Sequence, residues 1–320
     1  MAYASSDPSP EAILNRRAMS KRVRLWRALA FLALAAALVA MLWALGAFRG
    51  IAGGAHIARV SISGVVTEDR SLVKLLGKLA DDPSVAGVVL SVDSPGGTAV
   101  GGEAIYTAIR ELAAKKPVAT SVGTMAASAG YMIAVGSDHI VARNTSIVGS
   151  IGVIVQMPQA GGLLEKVGVD VFTVKSAPLK GEPSAFSKEP DPAARAMLQR
   201  LVDSSYGYFV DLVADRRPLS REETLELADG SVFSGAQALK LELVDAIGGE
   251  DEAVAWMVRE RDVTPNLDLR DRRAGENGFA GAFAAWTAPR GSLGETMLGE
   301  LKRLAPRGLF LDGIVAIWQG

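Results

Sequence analysis

Ser128 and Lys180 are the two residues of this 320-residue sequence whose side chains, taken together, could do covalent chemistry. Ser128 lies in a run of small residues, Gly123-Thr-Met-Ala-Ala-Ser-Ala-Gly-Tyr131, which would let a substrate backbone approach the serine closely. A serine nucleophile needs a base, and the chain has only two histidines, His56 and His139, and no cysteine. If Ser128 is a nucleophile, a lysine is therefore the natural candidate to deprotonate it.

A second motif, Asp93-Ser-Pro-Gly-Gly-Thr98, directly follows the apolar run 85–92, which predicts a strand buried on both faces. Ligands of open α/β sheets bind at the carboxyl ends of the strands, and Gly96 or Gly97 could point a backbone amide at a developing oxyanion there. Taken alone, the motif is equally compatible with a plain tight turn before a helix. Its spacing matches neither of the common glycine-rich phosphate-binding patterns.

The motif around Ser128 follows another predicted buried strand, residues 117–122, and we expect a small-residue helix over residues 126–135. Ser128 would then lie in the first turn of this helix, where backbone amides favour negative charge. The amide of Ala129 is the natural second oxyanion donor. The alternative is that Ser128 merely caps or packs the helix.

The wider pattern alternates strands and helices from residue 57 onward, which predicts an α/β fold with right-handed crossovers and a mostly parallel sheet. A long amphipathic helix is expected over residues 192–217. After Gly249 the pattern weakens, so residues 262–294 are interpreted as linker or partly ordered tail, and the apolar segment 301–318 is a candidate docking segment.

Residues 28–48 carry no charge and no proline, and they are long enough to span a hydrocarbon core of about 30 Å. A cleaved signal peptide or a buried helix remains an alternative. Basic residues precede this segment, so the positive-inside rule predicts a single-pass anchor with a cytoplasmic N-terminus. The bulk of the chain would then lie on the extracytoplasmic side of the membrane. The basic residues are Arg16, Arg17, Lys21, Arg22, Arg24 and Arg27.

The composition argues against several other classes of protein. The formal net charge of −1 offers no electrostatic basis for nucleic-acid binding. The absence of cysteine excludes disulfides, thiolate metal sites and a lipidated cysteine, and two histidines make a zinc site an unfavourable hypothesis. We therefore expect no metal and no cofactor.

Together the two motifs resemble the signal peptide peptidase A (SppA) family of the ClpP/crotonase superfamily, in its short single-domain form. The resemblance covers about residues 55–250, and it departs from the family pattern where Ala129 and Glu242 replace the usual glycines. It implies a repeated ββα core preceded by a transmembrane helix, with a tail at residues 1–27, an anchor at 28–48, a peptidase domain at 55–250 and an extension at 251–320. The further matching stretches are residues 145–152, 174–180, 232–239 and 243–245.

By motif, the resemblance assigns the nucleophile to Ser128, the general base to Lys180 and a lysine-orienting role to Ser150. Lys175 is the nearest rival as base, and Glu182 must point away from Lys180, since a carboxylate would hold the ammonium charged. The ClpP branch uses a histidine downstream of its serine, and this chain has no histidine after His139, so lysine is favoured.

The expected activity is that of a membrane-anchored serine endopeptidase that cleaves hydrophobic peptides, including signal-peptide remnants. The resemblance also implies a homo-octamer or another ring, in which the serine and lysine come from one chain or from two. A non-catalytic, membrane-tethered scaffold with a crotonase-like core is the alternative. An acyl-CoA-processing crotonase is disfavoured, because an outward-facing site would not meet cytoplasmic CoA.

Overall fold

The computed structural model describes residues 25–41, 54–274 and 315–317, and the chain divides into two compact units, residues 1–54 and 55–320. In the first unit, helix α1 (residues 25–41) is exposed throughout, including Trp26, Phe31 and Leu32. Among the described residues, no helix has both the length and the apolar character needed to cross a membrane. The predicted anchor runs on to residue 48, so it lies partly outside the described residues, as do the basic tail up to residue 24 and most of segment 301–318.

The second unit holds the strands and the remaining helices. The strands are β1 (His56–Ser63), β2 (Val85–Ser94), β3 (Gly96–Thr98), β4 (Val118–Ala127), β5 (His139–Ala142), β6 (Ile147–Gly149), β7 (Val232–Ser234), β8 (Ala246–Ile247), β9 (Asp268–Arg272) and β10 (Val315–Ile317). The helices are α2 (Arg70–Asp81), α3 (Ala99–Ala113), α4 (Ala129–Ala134), α5 (Gly161–Lys166), α6 (Pro192–Arg216), α7 (Arg221–Leu227), α8 (Gly235–Lys240) and α9 (Glu250–Glu260).

The main sheet has the order β7-β6-β4-β2-β1-β9, and β5 pairs with both β4 and β8. All of its pairings are parallel except that of β6 with β7, which confirms the predicted mixed α/β fold with a mostly parallel sheet. Because parallel strands point the same way, their carboxyl ends meet at one edge of the sheet. The loops that follow β2, β4 and β6 therefore lie side by side.

The sheet is covered on both faces, which explains the continuous apolar run in β2. Val88 and Leu90 belong to a core cluster that includes buried apolar residues of α2, α3, α4 and α6. Val89 points to the opposite face, where it packs in a cluster with Ala253 and Met257 of α9. Alternate residues of one strand thus enter two different cores, as expected for a strand buried on both sides.

The folded unit extends past residue 250 and includes β9, which lies within the segment 262–294 that was expected to be linker or partly ordered tail. Helix α9 packs on the sheet, and β9 pairs with β1 in parallel over five residue pairs from His56↔Asp268 to Val60↔Arg272. The sequence of β9, Asp-Leu-Arg-Asp-Arg, is strongly charged because β9 is an edge strand, and edge strands commonly carry charge. An apolar pattern was therefore absent from the sequence.

Candidate active site

Ser128 occupies a sharp turn between the end of β4 and the start of α4, with φ 53° and ψ −119°. The predicted helix over residues 126–135 is shorter than expected, because Ala126 and Ala127 continue β4 and pair with β6. The Ser128 amide donates to the carbonyl of Gly149 at 2.8 Å, and its side chain makes no capping hydrogen bond. A residue held in such a backbone conformation costs roughly 1–3 kcal/mol, and strain of this kind clusters at functional sites. The geometry is that of a nucleophile on a strand-to-helix turn, rather than of a helix-capping serine.

Ser150 lies on the neighbouring strand end. Strands β4 and β6 pair in the register Ala127↔Gly149, so Ser128 and Ser150 each come one residue after a paired position. Ser150 also has a positive φ, 51°, and its amide donates to the carbonyl of Ser231 at 2.7 Å. The two serines therefore leave adjacent strands at the same edge of the sheet, which brings together two of the residues selected from the sequence.

The glycine turn places one particular amide at this edge. The Gly96 amide donates to the side-chain oxygen of Ser94 at 3.1 Å, and the Thr98 amide donates to the carbonyl of Val66 at 2.8 Å. Of the three amides in β3, those of Gly96 and Thr98 are therefore already hydrogen-bonded within this part of the chain. Because successive amides of a strand point to opposite edges, that of Gly97 faces away from Val66. Of the two glycines considered from the sequence, the geometry favours Gly97 as the oxyanion donor.

Gly97 is required here by close backbone packing. A Cβ built on Gly97 would lie 1.9 Å from the carbonyl oxygen of Val66, which no side chain can tolerate. Gly96 has φ 110°, a conformation that glycine adopts without strain. The two glycines of the motif thus have separate structural roles. Gly96 allows the turn, and Gly97 allows the backbone of β3 to pack closely against that of Val66.

Ala129 opens α4, and its amide belongs to the first helical turn, whose N–H groups have no partner within a helix. Its side chain is fully buried against α3, where a Cβ placed on Gly102 would lie 3.2 Å from the Ala129 methyl. The missing side chain at Gly102 makes room for this methyl group. The structure thus accommodates the alanine side chain at this position, and the amide stays in place.

Lys180 lies on the arm, residues 154–191, which links β6 to α6 and contains α5. Its side chain is exposed, and no hydrogen bond connects it to Ser128 among the described residues. Glu182 is engaged elsewhere, because its carboxylate pairs with Lys175 at 2.5 Å and this hydrogen bond lowers the pKa of Glu182. Because the Lys175 amine is engaged by this carboxylate, Lys175 is a poorer candidate for the base than Lys180. Within the described part of the chain, no carboxylate pairs with Lys180.

Both histidines lie far from Ser128. His139 begins β5 and pairs with Ala119, eight residues before the end of β4, which corresponds to about 26 Å of strand. Its ring stacks on Trp256 with the ring centres 4.7 Å apart, and burial lowers its pKa. His56 is buried at the start of β1, so it too lies at the amino ends of the strands. Neither histidine can serve as the base.

The structure gives Tyr131 and the Leu243–Asp245 segment a structural role that the sequence did not reveal. Its buried hydroxyl donates to the carbonyl of Leu243 at 2.8 Å, so it ties the helix after Ser128 to the Leu243–Asp245 segment. The carboxylate of Asp245 in turn forms two hydrogen bonds with Arg217, at 3.0 and 2.8 Å. These hydrogen bonds connect α4 to the Leu243–Asp245 segment and that segment to the end of α6. Within the described ranges, no cluster of three or more His, Asp or Glu side chains could bind a metal.

Comparison with known proteins agrees with this geometry. The model of peptidase family S49 matches residues 110–264, and the model of Clp protease matches residues 58–151. A candidate protease of Synechocystis sp. is 41% identical over 202 residues, which cover 62% of this chain and 72% of that protein. A protein of Enterococcus faecium named as a candidate signal peptide peptidase, SppA, is 31% identical over 278 residues, covering 79% of this chain and 78% of the relative.

Protease 4 of Haemophilus influenzae is 36% identical over 208 residues, which cover 62% of this chain but only 34% of that longer protein. The family models and these relatives thus point to the same group as the strained serine and the glycine turn. The chain belongs to the SppA group of peptidase family S49 and is a serine-type peptidase with a ClpP-like domain.

Proposed function

We propose that the protein is a membrane-anchored endopeptidase that uses Ser128 and Lys180 as a catalytic dyad to cleave hydrophobic peptides, among them signal peptides left in the membrane after secretion. The observation that carries the proposal is the strained turn at Ser128, which lies beside Ser150 at the carboxyl edge of a parallel sheet. The name of the Enterococcus faecium relative, a signal peptide peptidase, supports the substrate class.

The proposed reaction gives each of the candidate groups one role. The Ser128 oxygen attacks the scissile carbonyl while the neutral amine of Lys180 accepts its proton. The amides of Gly97 and Ala129 stabilise the oxyanion of the tetrahedral intermediate. Lys180 then protonates the leaving amine, and water, deprotonated by the same lysine, hydrolyses the acyl-enzyme. In this proposal the Ser150 hydroxyl orients the lysine. No metal or cofactor takes part in any step.

The lysine, in our proposal, reaches Ser128 from a neighbouring copy of the chain in a ring of about eight protomers. Within one chain Ser128 is buried in the core, whereas Lys180 is exposed on the arm. The arm also exposes large apolar side chains, including Phe172 at 90% and Val174 at 83%. Apolar patches of this kind mark interaction surfaces. A second copy that covers the arm would bury these side chains and complete the site.

The anchor in this proposal includes α1. Apolar side chains cover all sides of this helix and are exposed along its described length, which suits a lipid environment better than water. With the basic residues at its cytoplasmic end, the peptidase unit would lie in the periplasm, close to the surface of the inner membrane. Peptides held in the same bilayer would then be the nearest substrates.

Mixing two inactive variants tests both the dyad and its assembly. Ser128→Ala and Lys180→Ala should each abolish hydrolysis of an apolar fluorogenic peptide and should assemble like the wild type. In randomly mixed rings with a shared site, about a quarter of the sites would combine an intact serine with an intact neighbouring lysine. Recovery of about that fraction supports the shared site, whereas no recovery from mixed oligomers contradicts it. Equal labelling of wild type and Ser128→Ala by a fluorophosphonate would contradict the nucleophile itself.

The absence of cysteine allows a direct test of the membrane topology. Single cysteines are introduced at Lys78, an exposed residue of α2, and at Ser5 in the N-terminal tail. A membrane-impermeant maleimide should label Lys78→Cys in intact spheroplasts but Ser5→Cys only after permeabilisation. The reverse pattern, or extraction of the protein from membranes by high salt alone, contradicts the anchor.

A further inference from the structure

A polar cleft lies on the face of the main sheet that α9 covers. Its volume is about 350 Å³, and its lining includes Ser91 of β2, Ser121 of β4, Arg143 after β5 and the first turn of α9. Small-molecule sites commonly have volumes of about 300–1,000 Å³. Ser121 precedes Ser128 by seven residues, which corresponds to about 23 Å of strand, so the cleft is separate from the candidate active site.

The polar side chains of the cleft form a row directly beyond the apolar cluster under α9. Val89, Ala119 and Val141 belong to that cluster, and a polar lining residue follows each of them two positions later. Side chains two positions apart along a strand lie on the same face of a sheet. Ser91 and Ser121 are also paired residues of β2 and β4, so their side chains are neighbours. The same face of the sheet thus changes from apolar to polar at the amino end of α9.

The hydroxyl of Ser121 has no partner in a position where serine normally finds one. The residue is only 5% exposed, and its side chain makes no hydrogen bond with any residue that the structure describes. Buried polar side chains are hydrogen-bonded in the large majority of cases. Because Ser121 lines the cleft, a molecule bound there would supply the missing partner.

The guanidinium of Arg143 lies beside the amino end of α9. A Cβ built on Gly249, the residue before this helix, would lie 3.4 Å from Nη2 of Arg143. Gly249 provides no side-chain cap, and the first amides of a helix have no partner within it. Positive charge is unfavourable at this end of a helix, and no carboxylate pairs with Arg143 among the described residues. A bound carboxylate would satisfy both the guanidinium and the helix amides.

The cleft also has one unpaired carboxylate. Glu250 is paired with Arg59 at 2.9 Å, whereas Asp251 forms no ion pair within the described part of the chain. A free guanidinium and a free carboxylate thus line one cleft without pairing with each other. A ligand that carries both an amino group and a carboxylate complements these two charges, whereas Asp251 would repel a simple anion.

We propose that this cleft binds a small zwitterion with a free amino group and a free carboxylate, the chemistry of an amino acid. Arg143 and the first amides of α9 hold the carboxylate, Asp251 holds the amino group, and the hydroxyl of Ser121 bonds a polar side chain of the ligand. Ser128 takes no part in this site, so the inference does not depend on the proposed peptidase function.

Calorimetric titration of the full chain tests the class of ligand. L-Serine should bind, and two analogues should each bind at least about tenfold more weakly, namely 3-hydroxypropionate, which lacks the amino group, and L-serinamide, which lacks the carboxylate. If serine gives no saturable binding up to about 10 mM, the proposal is wrong. Equal affinities for serine and 3-hydroxypropionate would contradict the zwitterion.

Three variants of the cleft test the role of each group. Arg143→Gln should weaken the binding of serine and of 3-hydroxypropionate, serine by at least about tenfold. Asp251→Asn should weaken serine but not 3-hydroxypropionate, because only serine carries the amino group. Ser121→Ala should weaken serine about threefold, the effect of one neutral hydrogen bond. Wild-type affinity in Arg143→Gln overturns the site.

Two further variants are controls. Arg200 of α6 is an exposed arginine without an ion pair among the described residues, and α6 packs on the other face of the sheet. Arg200→Gln should therefore bind serine like the wild type. Ser128→Ala should also bind serine normally, even where peptide hydrolysis is lost. Loss of serine binding in Ser128→Ala would place the ligand in the active site and refute the separate cleft.

Discussion

Ser128 and Ser150 follow directly on the paired residues Ala127 and Gly149, and both have left-handed φ values, 53° and 51°. Two adjacent parallel strands thus end in the same unusual backbone conformation, each at a serine. The Ser128 amide is bonded to the carbonyl of Gly149, so the turn at one serine supports the turn at the other. The carboxyl ends of β4 and β6 therefore hold both serines of the candidate site in fixed positions relative to each other.

Ser150→Ala should lower kcat about 10- to 100-fold, because the substitution removes the hydroxyl that orients the base in our proposal. KM and the free energy of unfolding should change little. Ser146→Ala is the matched control: that buried hydroxyl donates to the carbonyl of Gly123 at 2.6 Å, and Ser146 lies directly before β6, whereas Ser150 lies directly after it. It should cost about 1–3 kcal/mol of stability while kcat per folded molecule is retained. Equal kinetic losses in the two variants would refute an orienting role for Ser150.

Lys180→Ala should reduce kcat about 100- to 10,000-fold, the usual contribution of a general base. Lys175→Ala should keep most of the activity, because the ammonium of Lys175 is paired with Glu182. Steady-state rates of both variants, measured at equal oligomer concentration, decide between the two lysines. Loss of activity in Lys175→Ala with an active Lys180→Ala would reverse the assignment.

Gly97→Ala should reduce kcat by about 100-fold or more, because the new Cβ would collide with the backbone of Val66 and displace the oxyanion amide. Circular dichroism and sedimentation should show a folded, assembled protein, since β3 lies outside the main sheet. Gly64→Ala in the same region is the control, since a Cβ there meets no atom within 4 Å although its φ is 74°. Wild-type kcat in Gly97→Ala would exclude this amide from the mechanism.

Tyr131 should make the protein less stable at alkaline pH. Burial raises the pKa of the Tyr131 phenol well above its ordinary value of about 10. Above a pH of about 10, the Tyr131 phenol is deprotonated in the unfolded chain but stays protonated in the folded chain. The unfolded state therefore binds fewer protons than the folded state. The free energy of unfolding therefore falls as pH rises, by about 1.4 kcal/mol per pH unit from this group.

Urea denaturation of wild type and Tyr131→Phe between pH 8 and about 11.5 tests this linkage. At pH 8 the variant should be about 1–3 kcal/mol less stable, because the Leu243 carbonyl loses its donor. Above pH 10 its stability should decline less steeply than that of the wild type. Parallel curves across the whole range would show that Tyr131 ionises in the folded state.

Glu242→Gly should stabilise the protein by about 0.5–1 kcal/mol. Glu242 has φ 58°, which costs a residue with a side chain about 1–2 kcal/mol, partly offset by the greater chain entropy of glycine when unfolded. Glu242→Ala, which keeps a Cβ, should give no such gain. Thermal unfolding of the three proteins measures the difference, and equal melting temperatures for the glycine and alanine variants would contradict the explanation.

The amino-acid sequence by itself determined which residues are candidates for the chemistry of this chain. The small residues around Ser128, the Ser94–Gly97 turn and the absence of a histidine beyond His139 favour the serine–lysine mechanism that we propose. Apolar periodicity also determined the buried strands, because the face that a side chain presents repeats along the chain. These features are local, so a single sequence contains them in full.

The tertiary structure decided what depends on pairing between distant segments. The register of β4 with β6 sets Ser150 beside Ser128, and the side chain of Ser94 occupies the Gly96 amide, which leaves Gly97. Charged β9 and the short β10 find their partners through backbone hydrogen bonds, which leave little trace in side-chain composition. Main-chain pairing is nearly independent of residue type, and for that reason the sequence alone could not predict which strand lies against the glycines of the active site.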